Sequence, residues 1–181
     1  MDTGSGNETC VKQQPDYNKA ERLASDLLEK YALFEPPILS DEIARKEGLM
    51  VYSSDFSALN SGKSKISGYV NISKKAIYID RSDTQGRQNF TIAHELGHWL
   101  LGHASNEFYN MLYRQTNEER RYNPQEQEAN AFAASLLMPE KMVKYLLKKF
   151  PFATDRDLAT VLSVSEEAFK NRKFNLIGYA F

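Results

Sequence analysis

All three histidines of this 181-residue chain fall within one stretch, "TIAHELGHWLLGH" at residues 91–103, and a glutamate follows the first of them directly. On a helix, side chains four apart share a face, so His94 and His98 can aim their rings at one ion. Glu95 is turned aside from that pair but within reach of a water beside the ion. This is the spacing of a zinc peptidase, with two imidazole ligands and a carboxylate base. Random order with 3 His and 15 Glu would produce it on the order of once in a few hundred such chains. Histidines in so apolar a helix also need partners for their nitrogens, and a metal supplies one.

The extended pattern that takes a third histidine from the same stretch needs glycine at 101 and histidine at 104, and the chain has Leu101 and Ala104. His103 therefore reads as a helix-end or supporting residue. A catalytic zinc generally has three protein ligands and one open position. The natural third is a carboxylate from "QEQEANAFAA", which offers Glu126 and Glu128. Glu126 is preferred, because Asn130 lies one turn further on the same face and can hydrogen-bond the far nitrogen of a ligand histidine. Glu128 heads a stripe with Phe132 and Leu136, which is expected to pack into the core, so its loss should matter only slightly. No Gly-x-Ser-x-Gly elbow accompanies the single cysteine, which argues against a covalent nucleophile.

The elements that must position these residues follow from periodicity. Residues 1–16 are polar and expected to be a disordered tail, in which Cys10 is a spare thiol or, less simply, a cap on the metal. From Tyr17, apolar residues at three- and four-residue steps predict a helix that ends before "EPP", and "SDEIARKEG" a second. Stretches from Leu49, Lys65 and Lys75 read as three strands in an antiparallel meander. The histidine segment should be a helix buried on most sides, residues 104–125 a surface loop or short helix, and "EQEANAFAASLLM" another helix. A further amphipathic helix with a lysine face follows, then two helices around a turn near Ser163. The predicted class is α+β, mainly helical, with a peptidase domain at 17–150 and a helix-turn-helix-like appendage at 151–181.

Charge is nearly balanced, with 23 basic and 24 acidic residues, so nothing overall points to nucleic acid or an anionic membrane. No export signal or spanning segment is evident, and the expectation is a soluble cytoplasmic protein. From 154 to 181 four basic residues (Arg156, Lys170, Arg172, Lys173) meet four acidic ones (Asp155, Asp157, Glu166, Glu167). That balance argues against DNA binding by the appendage and favours packing or substrate docking.

"FTIAHELGHWLLGH" followed by "EQEANAFAASLLMP" resembles the ImmA/IrrE family of metallopeptidases, and the likeness extends to "ISGYVNISKKAIYID" and "LATVLSVSEEAFKNR". The resemblance implies a zincin-like core and an intracellular zinc-type endopeptidase that cleaves a helix-turn-helix repressor encoded nearby. His94, His98 and Glu126 would hold Zn2+, or another divalent ion such as Mn2+, and Glu95 would be the base. The competing class is a DNA- or protein-binding regulator, including a toxin-antitoxin partner, with a vestigial or structural metal site. Tyr109, Tyr113, Tyr122, His103, Arg120 and Arg121 are unranked candidates for stabilising a transition state.

Overall fold

A computed structural model describes residues 14–61, 66–103 and 123–178. Its described elements run α1 (Tyr17–Lys30), α2 (Ser40–Lys46), β1 (Met50–Ser54), β2 (Gly68–Asn71), β3 (Ala76–Asp80), α3 (Gln85–Leu101), α4 (Pro124–Leu137), α5 (Glu140–Lys149), α6 (Asp155–Val161) and α7 (Glu166–Ile177). The α+β class is as read from the sequence. The first 13 residues of the expected tail and the candidates between 104 and 122 lie outside the described residues.

The sheet corrects the sequence reading. It is mixed, in the order β1-β3-β2, with β1 parallel and β2 antiparallel to the central β3. The four-residue turn at 72–75, with Lys75 in the left-handed region at φ 47°, folds β2 straight back onto β3. The connection from β1 at residues 55–67 is no tight turn. Its described residues include a 3-10 turn at Leu59–Ser61, and β1 lies at the far edge of β3 in the parallel sense. β3, covered on both sides, is the apolar strand, with Ala76, Ile77 and Ile79 buried.

α4 lies between α1 and α3, and these three helices form the centre of the core. α1 contributes Ala20, Ala24, Leu27 and Leu28, and small residues let the helices approach: Ala93, Ala129 and Ala133 are all fully buried. Gly97 on α3 is the closest point. A Cβ there would stand 2.8 Å from the Phe132 ring and 3.4 Å from the Ala129 backbone of α4, so only glycine allows this spacing without a shift.

The last two helices dock on the same frame. Thr154 and Asp157 form a capping box for α6, Ser163 turns the chain at φ 52°, and the Ser165 hydroxyl caps α7. Asn89, buried on α3, accepts from Ser40 and donates to the Ile38 and Ser163 carbonyls, tying α2 and the α6–α7 turn to one side chain. At the other end the buried Arg172 donates from Nε to the Met138 carbonyl at 3.0 Å. Among the described residues no helix is long and apolar enough to cross a membrane.

Candidate metal centre

α3 carries His94, Glu95 and His98 along the face turned towards α4, and its burial extends to Ile92, Leu96 and Leu101. α4 begins with the Asn123 side chain accepting from the Gln125 N–H and Pro124 in the first turn. Glu126 follows in that first turn, where the helix dipole favours a carboxylate. The close approach at Gly97 then brings the start of α4 over the histidines.

His94 Nε2 lies 3.0 Å from His98 Nε2, 3.4 Å from one oxygen of Glu126, and the second oxygen is 3.5 Å from His98 Nε2. The ligand atoms of His94, His98 and Glu126 are all within 4.8 Å of one another, and this group could hold a metal ion. The donor set fits one. His94 Nδ1 faces Asn130 Oδ1 at 3.0 Å, so its proton is on that outer nitrogen and the inner one presents a lone pair. Two imidazoles and a carboxylate converging on one spot are a donor set that suits a divalent cation. Burial opposes the charge on Glu126. Hydrogen bonds and charge interactions with His94 and His98 outweigh it, and the carboxyl is held well below the usual range.

Beneath His98 lies a second, buried set. His103 Nδ1 is 3.2 Å from His98 Nδ1, and its Nε2 is 2.7 Å from Glu128 Oε2. The other Glu128 oxygen accepts from the Asp16 backbone N–H at 2.7 Å. Burial pushes the His103 pKa down, partly opposed by its hydrogen bond to Glu128. Gly102 makes this contact local: at φ 77° it ends α3 in the left-handed conformation, the His103 N–H returns to the His98 carbonyl, and the two rings meet at 5.2 Å.

The structure therefore brings Glu126 to the histidine pair and Asn130 to His94, and it places Glu95, 9% exposed, on the wall of the same cleft. His103 lies behind His98, away from the convergence of ligand atoms. Glu128 corrects the sequence reading. It is buried as its apolar stripe suggested, and it is also the partner of His103, a contact the stripe did not indicate. The Gly102-His103 pair after the motif was the available signal for this.

The cleft over the site measures about 950 Å³ and is walled by α1, α3, α4, β2 and α7, with Gly68, Tyr17, Asn171 and Asn175 among its lining residues. A chain matching the family model for the IrrE N-terminal-like domain, Peptidase_M78, over residues 44–173 has the histidine helix, α4 and α6 inside the match. The protein belongs to that family. Membership supports a metallopeptidase-type function and a metal-dependent site, and it bears out the resemblance read from the two separated motifs. No curated protein sequence matches the chain. Among solved structures, a Mycobacterium tuberculosis transcriptional regulator is similar with a TM-score of 0.60 at 15% identity, over 87% of this chain and 46% of that one. At that identity the likeness is one of fold, and the chain spans about half the length of that regulator.

Proposed function

We propose that this protein is an intracellular zinc-dependent metallo-endopeptidase that cleaves a helix-turn-helix repressor encoded near it, and so derepresses the repressor's genes. The observation that carries the reading is the convergence of two imidazoles and a carboxylate at a cleft also walled by Glu95. His94, His98 and Glu126 are the ligands in this reading. A bound Zn2+ would supply Lewis acidity there, making water acidic near neutral pH and polarising a carbonyl. Glu95 takes the proton from the attacking water and returns it to the leaving amine. β2, at the edge of the sheet with Gly68 on the cleft wall, offers main-chain groups to a peptide laid alongside as an added strand. α7 serves as a further wall of the cleft, and the α6–α7 element docks substrate, which suits its balanced charge better than DNA binding does.

The test uses the repressor encoded beside the gene, incubated with the full-length protein and Zn2+. Wild type should cut it at a defined bond. Glu95→Gln should retain the ion and lose at least ~100-fold in rate, since a positioned proton acceptor contributes about 10²–10⁴. Near-normal turnover by Glu95→Gln would remove the base from the mechanism.

A further inference from the structure

We infer that His103 and Glu128 are positioning residues: a buried relay, anchored on the start of α1, that fixes the tautomer and ring orientation of His98. The inference rests on the reading of His98 as a metal ligand, and donors and acceptors along the chain of contacts carry it. Glu128 is a carboxylate with two oxygens and two partners. Oε1 accepts the Asp16 N–H at 2.7 Å, so Oε2 is left to accept from His103 Nε2, also at 2.7 Å. Geometry therefore puts a proton on His103 Nε2, and with that one proton on the ring Nδ1 is an acceptor.

Across 3.2 Å stands His98 Nδ1. Two bare nitrogens would repel at that distance, so His98 donates its Nδ1 proton, which empties its Nε2. That atom is the one facing His94 and Glu126. Each link thus decides the polarity of the next, and the chain ends with a lone pair aimed at the ion. His103 is 8% and Glu128 9% exposed, so water has little access to replace either partner.

The far end of the relay is structural. Asp16 caps α1, its side chain accepting from the Lys19 N–H at 2.9 Å while its own N–H is held by Glu128. Lys19 in turn reaches the Leu101 carbonyl at the end of α3. The seating of α1 is in this way joined to the orientation of a ligand on α3, through α4.

Competition of the full-length protein against a chromogenic chelator for Zn2+ tests this without reference to proteolysis. His103→Gln keeps an acceptor for His98 and a donor for Glu128, whereas His103→Phe fills the space with neither. The relay predicts near wild-type affinity for His103→Gln and a loss of about 10–100-fold for both His103→Phe and Glu128→Ala. A residue that merely filled space would rank the variants the other way, and that ranking, or equal affinity for all, overturns the proposal. Ring ¹⁵N spectra of the metal-free wild-type protein give a second reading that needs no variant. They should show His98 protonated on Nδ1, and protonation on Nε2 would contradict the relay. Absence of Zn2+ binding by wild type would sink the metallopeptidase reading, and the ring spectra would still decide the relay.

Discussion

The two histidines of the pair are braced in opposite ways. His94 is held from the cleft side by Asn130, an exposed residue whose amide accepts the ring proton at 3.0 Å. His98 is held from the core side by His103 and Glu128, both buried, and Glu128 is held in turn by the Asp16 backbone N–H. Where water can enter, it can stand in for a lost amide oxygen. Where it cannot, removing one partner leaves its neighbours unsatisfied at a cost of about 1–3 kcal/mol each. In the proposed reading the open side would admit a substrate and the closed side would keep the site in shape.

The contrast can be broken first at the point both sides share. Gly97→Ala would push a methyl into the Phe132 ring of α4, driving α3 from α4 and Glu126 from both histidines. Overpacking of this kind costs about 1–3 kcal/mol of stability, seen as a fall in the unfolding midpoint, and Zn2+ binding should weaken with it. Unchanged stability and affinity would mean that the helix spacing does not set the site.

Removing one brace at a time separates the sides. Glu128→Ala should lie near the upper end of the ~10–100-fold range of losses in metal affinity and Asn130→Ala near the lower. Equal losses in a direct titration would show that solvent access makes no difference. The smallest change sharpens the anchor: Asp16→Ala removes the side-chain cap of α1 but keeps the N–H that Glu128 holds. Stability should fall by ~1 kcal/mol in chemical denaturation while Zn2+ affinity stays at the wild-type level. A matching fall in affinity would assign the anchoring to the side chain.

Much of the open side was legible in the sequence. His94, Glu95 and His98 announce themselves by spacing, and Asn130 follows from Glu126 because four residues on a helix is one face. The helices did too: α1 begins at the expected Tyr17, and the turn at Ser163 with a new helix after Ser165 stands where the pattern put it. The closed side was not legible for a physical reason. Glu128 sits in an apolar stripe, and periodicity reports only that such a residue is inside. It says nothing of a histidine from another helix end that meets it there. Strand sense was lost in the same way. The apolar runs mark β1 and β3 as strands, but their parallel pairing is a long-range relation that no local pattern encodes.

The central claim, that His94, His98 and Glu126 together bind a catalytic ion, is tested most directly by counting that ion. Calorimetric titration of the full-length protein with Zn2+ should give one tight site per chain. Glu95→Gln should keep that site and Glu126→Ala should lose it, with a fall in affinity larger than either supporting residue produces. Wild-type affinity in Glu126→Ala would contradict the account.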